Sequence, residues 1–500
     1  MMYNSTRSSD VLVTSAQAIT RGIAGDGGLF VPDSFPPLTR FDFMELQKKD
    51  YASRAAFILS KYLTDFSYDE IVECTALAYN NNSFVSESVA PLCPLDDRLY
   101  MLELWHGPTC AFKDMALQIM PHLMCKSATK TLNGKSIVIL VATSGDTGKA
   151  ALEGFKDADK TRIIVFYPED GVSPMQKLQM TTQEGANVAV YGIRGNFDDA
   201  QSGVKAIFTD TDVSKQLDSN DMVLSSANSI NIGRLLPQII YYISAYCDLI
   251  NKGKIKQGDS INIVVPTGNF GNILAAYYAL KMGLPVNRLI CASNRNRVLT
   301  DFINSGVYDK NRSFYTTSSP SMDILVSSNL ERLLYHLSDN DSSEIRRLME
   351  QLNKNGCYCV SDSVKSRINS LFEAGSCDDN ETAMTINDVY KQYGYLCDPH
   401  TAVAVNVYKQ YLNKSGDSSA TVIASTASPY KFSYSVLQAL GEKASKTDDF
   451  ENMEKLHQLT GCEIPKTLKA ISGKPIRFTD VCNAVDMKNV VFKTLNIDGQ

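Results

Sequence analysis

Hydrophobic residues in this chain are concentrated in short unbroken runs, separated by longer stretches in which apolar and polar positions alternate with helical spacing. The runs are rich in Val and Ile and cover residues 136–141, 162–167, 187–191, 261–265, 288–292 and 421–424. A strand that is buried on both faces shows no polar alternation, so runs of this length predict the strands of parallel sheets.

Helical patterns lie between these runs. Residues 147–155 follow the first run, and 174–183 begin with Ser173 and Pro174, a capping residue followed by proline at the first helical position. Residues 272–282 are rich in Ala and Leu and stop at Gly283, a typical C-terminal signal. Repeated alternation of strand and helix predicts an α/β fold with right-handed crossovers.

The pattern changes at three places and predicts the domain organisation. A glycine- and proline-rich opening followed by helical spacing over 42–62 predicts a separate, mostly helical N-terminal domain, residues 1–92. The α/β domain then covers 93–445, with a helical insertion at about 313–387, where Ser, Thr, Asn and Asp are frequent. The charged residues 446–500 are predicted to form a C-terminal tail.

Composition narrows the class of protein. A net charge of -6 over 500 residues argues against non-specific nucleic-acid binding, and no apolar stretch is long enough to predict a membrane span. The start of the chain does not look like a secretory signal, and the twelve cysteines show no disulfide framework. The five histidines form no pair with metal-ligand spacing. We therefore expect a cytoplasmic protein without a metal site and with no membrane or nucleic-acid partner.

The first segment with candidate chemistry is 102–114, which ends in Lys113. Gly107, Pro108 and Thr109 form a turn signal, and 115–124 has helical spacing with Pro121 as a kink or break. Lys113 is therefore predicted at the mouth of a helix, where the helix dipole lowers the pKa of the amine and favours imine formation. Taken alone, a lysine of this kind is more often a solvated surface group.

Two loops combine glycines with polar side chains at the point where a predicted strand passes into a helix. They are 142–148 (ATSGDTG) and 265–272 (VPTGNFGN). Backbone N–H groups at such a helix start form an anion site. The second loop has neither the spacing of a dinucleotide fingerprint nor a Walker A lysine, and it fits a phosphate ester. The alternative for the first loop is a tight βα turn with a capping Ser or Asp, and for the second it is an ordinary glycine-rich turn.

Two further segments carry polar groups that could contact a small anionic ligand. In 225–234, Asn231 and Arg234 are three residues apart and would share a helix face, where an arginine can clamp phosphate or carboxylate. In 423–432, Thr426 follows a predicted strand, at the edge where ligands bind in open α/β sheets. The alternatives are a well-capped helix for the first segment and a plain polar turn for the second.

Taken together, these segments resemble the threonine synthase family of fold-type II pyridoxal-phosphate (PLP) enzymes. The resemblance rests on HGPT-x-AFKD, ATSGDTG, SANSIN, PTGNFGN and DPHTAVA, and it extends to the N-terminal stretches 3–7 and 26–32. It implies two parallel-sheet αβα subdomains, beside the mostly helical N-terminal domain and the helical insertion. It also implies that pyridoxal 5′-phosphate is the cofactor and that Lys113 holds it as a Schiff base.

The resemblance also implies roles for other residues. The cofactor phosphate would lie in a cup formed by Gly268, Asn269, Phe270, Gly271 and Asn272. Thr426 would face the pyridine nitrogen, and Asp146 would face the 3′-oxygen, where much of the fold type has Asn. The proposed ligands of the substrate's phosphate or carboxylate are Ser144, Thr147, Ser229, Asn231 and Arg234. The segment STASPYKF departs from the family pattern, with Ser428 where a histidine or similar residue is expected.

The implied reaction converts O-phospho-L-homoserine and water to L-threonine and phosphate, the last step of threonine biosynthesis. It combines γ-elimination of phosphate with β-addition of water, which makes the enzyme a carbon–oxygen lyase with Lys113 as the base. A phospholyase that releases a 2-oxo acid, ammonia and phosphate is the nearest alternative. A serine or threonine dehydratase and a non-catalytic scaffold protein are more distant ones. The sequence leaves open whether the protein is a monomer or a homodimer.

Overall fold

The N-terminal region folds into a small antiparallel sheet and four helices. The computed structural model describes residues 1–143, 145–169 and 172–497, apart from the side chain of Asp198. The first elements are β1 (Tyr3–Ser5), β2 (Ser8–Val13), α1 (Ser15–Arg21), β3 (Phe30–Pro32), α2 (Arg40–Gln47), α3 (Tyr51–Tyr62) and α4 (Tyr68–Ala78). Strand β1 pairs with both β2 and β3. The sequence predicted the helices but not this sheet, because such short strands leave no clear alternation.

The next region contains the first of two parallel sheets. Its elements are β4 (Leu92–Pro94), β5 (Leu99–Glu103), α5 (Asp114–Leu117), α6 (Met120–Thr131), β6 (Ser136–Ala142), α7 (Asp146–Phe155), β7 (Thr161–Pro168), α8 (Pro174–Thr181), β8 (Val188–Arg194), α9 (Phe197–Thr209), α10 (Thr211–Ser219), β9 (Met222–Ser225) and α11 (Ile232–Asn251). The predicted helix 115–124 is two helices, since Pro121 stands at the start of α6 and cannot donate a helical hydrogen bond.

The remaining elements complete the second sheet and then return to the first. They are β10 (Ile261–Pro266), α12 (Gly271–Lys281), β11 (Val286–Ser293), α13 (Val298–Ser305), β12 (Val307–Asp309), α14 (Leu330–Leu337), α15 (Ser342–Asn355), β13 (Cys357–Cys359), α16 (Asp362–Leu371), β14 (Phe372–Ser376), α17 (Asp379–Tyr393), α18 (Pro399–Ser415), β15 (Thr421–Ser425), α19 (Ser433–Ala439), α20 (Asp449–Thr460), α21 (Lys466–Lys469), β16 (Val481–Asn483) and α22 (Met487–Leu495). Single 3₁₀ turns lie at Pro320–Met322, Pro429–Phe432, Ala470–Gly473 and Ala484–Asp486.

The strand order confirms the predicted α/β fold with two parallel sheets. One sheet has the order β16-β8-β7-β6-β9, and the other has the order β14-β11-β10-β15-β5-β4, in which only β4 runs antiparallel to its neighbour. Each of the predicted apolar runs is a strand of one of these sheets. Their side chains are almost entirely buried, which explains why the runs show no alternation. Among the described residues, no helix is long and apolar enough to cross a membrane.

Two predicted segments contribute more to the sheets than the sequence indicated. The predicted helical insertion, 313–387, contains β14, which pairs with β11 from Leu289↔Phe372 to Ser293↔Ser376. The predicted tail contains β16, which pairs with β8 through Val481↔Gly192. Both are edge strands with few apolar residues, so the hydrophobic pattern did not reveal them. The boundaries of the domains themselves remain a prediction.

One buried side chain joins the N-terminal region to the α/β domain. Arg332 on α14 is fully buried, and its guanidinium donates to the carbonyl oxygens of Phe30 (2.9 Å) and Ile230 (2.5 Å). It also donates to Oδ1 of Asn329. Burying a charge is costly unless hydrogen bonds compensate for it, and here they do so across three separate parts of the chain.

We expect Arg332→Met to lower the free energy of unfolding by about 3 kcal/mol, because the buried carbonyl groups lose their donor while the volume is nearly kept. Urea unfolding followed by circular dichroism measures the change. The matched control is Arg297→Met, since Arg297 is exposed and pairs with Asp301 on its own helix. A change of less than about 1 kcal/mol for Arg332→Met would show that this side chain does not join the two parts.

Candidate active site

The loops that follow the strands of both sheets surround one large cavity. Its volume is about 1290 Å³. The predicted site residues that line it are Lys113, Asp146, Thr147, Ser229, Arg234, Gly268, Asn269, Phe270, Gly271, Asn272 and Thr426. The parallel strands bring these loops together because their carboxyl ends share one edge of each sheet. In the part of the chain that the structure describes, no cluster of His, Cys, Asp or Glu could hold a metal ion.

Lys113 lies at the inner wall of this cavity. Its Nζ donates to Oγ of Ser321 at 3.3 Å and lies 3.8 Å from Oδ2 of Asp146. Burial lowers the pKa of Lys113 to about 8, although Asp146 acts in the opposite direction, and the nearby Lys431 and Arg234 lower it further. The helix after Lys113 has only four residues, so burial replaces the helix dipole as the main reason for the low pKa.

Asp146 is a buried carboxylate with two cationic neighbours. Its Oδ1 lies 2.6 Å from Nζ of Lys431 and accepts a hydrogen bond from Nε2 of Gln176 at 3.0 Å. Burial favours the neutral acid, yet Lys431 and Lys113 together hold the pKa of Asp146 well below its ordinary value. The carboxylate is therefore ionised at neutral pH.

The turn that carries Asp146 is held by Thr143. The hydroxyl of Thr143 accepts hydrogen bonds from the backbone N–H groups of Gly145 (3.0 Å) and Gly148 (2.9 Å). Gly145 has a φ of 141°, and a Cβ there would meet the side chain of Gln176 at 2.4 Å, so only glycine fits. Thr147 faces the cavity from the first turn of α7. Ser144, predicted as a substrate ligand, lies outside the described residues.

The glycine loop between β10 and α12 packs tightly against 319–329. A Cβ on Gly268 would come within 2.5 Å of the carbonyl oxygen of Ser321. The carbonyl of Gly268 accepts from Oγ of Ser327 at 2.7 Å, and that of Asn269 accepts from Nδ2 of Asn329 at 2.9 Å. These hydrogen bonds from the side chains of Ser327 and Asn329 fix the loop in place. The N–H groups at the start of α12 can then bind a ligand.

Two buried donors at the cavity have no partner within the described residues. Oδ1 of Asn272 accepts hydrogen bonds from the hydroxyls of Tyr241 (2.6 Å) and Tyr242 (2.5 Å), which leaves its Nδ2 without an acceptor. Arg234 donates through Nη1 to the carbonyl of Ala227 at 2.6 Å, while its Nε has no acceptor. Buried donors of this kind are costly unless a ligand accepts from them.

The structure does not bring Asn231 to the cavity, and its predicted role as a substrate ligand is therefore wrong. Its side chain is fully buried, with Nδ2 donating to the carbonyls of Ile19 (2.9 Å) and Ser226 (2.9 Å). Its Oδ1 accepts from the N–H of Gly233, which makes Asn231 the N-cap of α11. These three hydrogen bonds turn the Asn231 side chain into the protein, whereas Arg234 lines the cavity.

Thr426 and Lys113 belong to neighbouring loops. The carbonyl of Thr426 accepts from the N–H of Phe112 at 2.8 Å, which places these loops side by side at the cavity. Thr426 is buried and lines the cavity, as its predicted contact with a cofactor ring requires.

The sequence missed several residues at the site. Ser321 contacts Lys113, and its N–H donates to Nε2 of His400 at 3.2 Å. His400 in turn pairs through Nδ1 with Asp398 at 2.6 Å. DPHTAVA was recognised as part of the family pattern, but no residue of it was given a role. Nothing in the sequence pointed to Ser321, which lies in a polar stretch far from the other motifs.

These residues fit the cofactor that the resemblance implies. A phosphate ester would accept hydrogen bonds from the unpaired Nδ2 of Asn272 and from the N–H groups at the start of α12. The Lys113 amine, with its pKa of about 8, can form an imine with an aldehyde. The cavity also has room for a substrate beside the cofactor.

Comparison with known families gives three matches along the chain. A model described as "Threonine synthase N terminus" matches residues 2–79, and one described as "Pyridoxal-phosphate dependent enzyme" matches residues 87–426. A third, "Threonine synthase, C-terminal", matches residues 401–491. The second model alone covers more than half of the chain.

Individual proteins agree with these matches. The chain is 41% identical to human threonine synthase-like 1 over 435 residues, which is 85% of this chain but only 58% of that longer protein. It is 36% identical to the threonine synthase of Pseudomonas aeruginosa, covering 95% of this chain and 100% of that protein. The crystal structure of PLP-bound threonine synthase from Brucella melitensis superimposes with a TM-score of 0.88 at 35% identity, covering 99% of both chains.

These matches confirm the predicted fold-type II architecture and the predicted cofactor, pyridoxal 5′-phosphate. They extend over the N-terminal region, both parallel sheets and the C-terminal residues. The chain belongs to the threonine synthase family of pyridoxal-phosphate-dependent enzymes.

Proposed function

We propose that this protein is a threonine synthase, which converts O-phospho-L-homoserine and water to L-threonine and phosphate. The observation that carries the proposal is Nε of Arg234, the second buried donor that has no acceptor in the described part of the chain; Arg234 lines the same cavity as Lys113. The cavity thus offers one donor beyond those assigned to the cofactor phosphate, and a substrate that carries its own phosphate would use it. The full-length similarity to threonine synthases supports the same activity.

We assign the cofactor contacts as follows. Lys113 would hold pyridoxal phosphate covalently, and Gly268, Asn269, Phe270, Gly271 and Asn272 would bind its phosphate. Thr426 would face the ring nitrogen, and Asp146 would face the 3′-oxygen. When bound, the cofactor supplies an electron sink that stabilises negative charge on the carbon beside the substrate's amino group.

Lys113 would act as the base once the substrate's amine has taken its place. Because burial lowers the pKa of Lys113 to about 8, a useful fraction of the amine is neutral near pH 7. Its neutral Nζ would take the proton from Cα and, once it has passed that proton to the substrate's own phosphate, one from Cβ. Ser321 keeps the freed amine inside the cavity, since its Oγ accepts a hydrogen bond from Nζ.

Substrate binding would rest on Arg234, Ser229 and Thr147, all of which line the cavity. Arg234 remains charged at neutral pH, although burial lowers its pKa to about 10. Ser144 is proposed as a further ligand from the sequence alone.

The cavity of about 1290 Å³ exceeds the usual size of a ligand pocket, about 300–1,000 Å³. We therefore propose that the two subdomains close over the substrate and exclude water until the phosphate has left.

A phospholyase is the second candidate. It would use the same binding groups but release a 2-oxo acid, ammonia and phosphate. Identity to human threonine synthase-like 1 (41%) exceeds identity to the Pseudomonas threonine synthase (36%), which is the reason to test for it. The chain spans only 58% of that threonine synthase-like protein.

The cytoplasmic location, the monomeric or homodimeric state and the domain boundaries at 92/93 and 445/446 remain predictions of the sequence.

Incubation with O-phospho-L-homoserine should yield equal amounts of phosphate and L-threonine, measured by a phosphate assay and amino-acid analysis. We expect Lys113→Ala to lose both products and the visible absorbance of the imine, because Lys113 is the amine assigned to hold the cofactor. The control is Lys446→Ala at an exposed position, which should retain all three signals. Phosphate accompanied by ammonia and a 2-oxo acid would select the phospholyase instead.

Arg234→Gln should raise the apparent KM for O-phospho-L-homoserine by about 10- to 100-fold, the value of a charged hydrogen bond. Steady-state kinetics at fixed pH provide the measurement. Arg234→Lys keeps the charge and should lose less. The visible absorbance of the cofactor should stay unchanged in both variants, since the role assigned to Arg234 concerns the substrate. An unchanged KM in Arg234→Gln would contradict that role.

A further inference from the structure

A second buried lysine lies behind the Asp146 carboxylate. Lys431 is part of the 3₁₀ turn Pro429–Phe432, which begins shortly after Thr426. Its side chain is completely shielded from solvent, and Nζ contacts Oδ1 of Asp146 at 2.6 Å and the carbonyl oxygen of Thr109 at 3.0 Å. Through these two contacts, Lys431 connects the loop before Lys113 with the turn that carries Asp146.

The two oxygens of Asp146 face different partners. Oδ1 is occupied by Lys431 and by Nε2 of Gln176, at 2.6 and 3.0 Å. Oδ2 points toward Lys113, whose Nζ lies 3.8 Å away, beyond the length of a hydrogen bond. The close ion pair of this site is therefore the one between Asp146 and Lys431.

Two amines thus share one carboxylate. Among the described residues, Asp146 is the only carboxylate within 4.0 Å of either Nζ. Four other titratable groups lie around the pair: Arg234, Cys110, His400 and Asp114. The carboxylate of Asp114 is hydrogen-bonded to Thr109. A buried ion requires a counter-ion close by, and the distances assign the negative charge of Asp146 to Lys431.

We propose that Lys431 is a positioning residue that acts as the permanent counter-ion of Asp146, fixing the carboxylate toward the cofactor and leaving the Lys113 amine with only the longer, 3.8 Å contact to it. This assignment holds whichever product the enzyme releases. An ionised carboxylate can only accept a hydrogen bond, so Asp146 accepts one from the group that it faces. The low pKa of Asp146, for which Lys431 and Lys113 are responsible against the effect of burial, agrees with this arrangement.

The proposal predicts how the recombination of cofactor-free protein with pyridoxal 5′-phosphate depends on pH. Recombination requires the neutral amine of Lys113, and it is followed by the visible absorbance of the bound cofactor. In Lys431→Met, Lys113 becomes the nearest cation to Asp146, so the pKa of Lys113 rises and neutralisation needs a higher pH. We expect the pH of half-maximal recombination rate to move upward by about one unit or more.

Two variants serve as controls in the same experiment. Lys431→Arg keeps the charge and should leave the midpoint, the pH of half-maximal recombination rate, within about half a pH unit of the wild-type value. The double variant Lys431→Met/Asp146→Asn removes both charges and should return the midpoint to the wild-type value or below. The same cofactor is used throughout, so its own titration cancels in the comparison. Circular dichroism and the thermal midpoint establish that each variant is folded.

A folded Lys431→Met protein with an unchanged midpoint would overturn the proposal, as would a double variant whose midpoint stays a unit above wild type. If Lys431→Met alone fails to fold, an uncompensated buried carboxylate is the expected cause, and the double variant should then fold. If the double variant fails as well, Lys431 is required for packing and the proposal is wrong.

Discussion

The buried charges of Lys113, Asp146 and Lys431 come from three separate stretches of chain and meet only when both sheets have formed. Asp146 stands at the start of α7 in one sheet, whereas Lys431 follows β15 in the other. Lys113 lies on the loop after β5, and its Nζ is 3.8 Å from the other oxygen of Asp146. Each charge would be costly to bury alone, and the close contact of Asp146 with Lys431 compensates for two of them. The third, the Lys113 amine, has a pKa of about 8 and so supplies a fraction of the neutral form, which binds an aldehyde or takes a proton.

The cost of burying a polar group without a partner also explains the anion-binding side of the cavity. Asn272 accepts hydrogen bonds from two tyrosine hydroxyls. Arg234 donates one hydrogen bond to the carbonyl of Ala227. Each keeps one donor without an acceptor among the described residues. Because such donors destabilise the folded protein, their position at the cavity indicates that a ligand accepts from them. Arg332 holds the surrounding loops together from outside the cavity.

The departures from the family pattern have local explanations. Ser428 stands where a histidine or similar residue was expected, and it is fully buried. Its N–H donates to the carbonyl of Cys110 at 3.1 Å, and its Oγ accepts from the N–H of Tyr430 at 3.3 Å. These contacts shape the turn that carries Lys431, so at this position the chain uses a small capping residue. Asp146 differs only from the wider fold type, where Asn is common, and it is matched by the lysine that neutralises it.

The amino-acid sequence by itself determined the α/β fold, the central strands of both sheets and the main loops that surround the cavity. It could do so because buried parallel strands are continuous apolar runs, and because the loops that follow them carry glycines and hydroxyls at fixed spacing. Only the tertiary structure decided which polar side chains reach the cavity. Asn231 and Arg234 are three residues apart, yet one caps a helix and the other lines the cavity. Ser321 and Lys431 come from distant segments, and their roles depend on contacts that no local pattern encodes. Hydrogen bonds and ion pairs of this kind are set by the three-dimensional packing of the loops, whereas hydrophobic periodicity is a property of each segment alone.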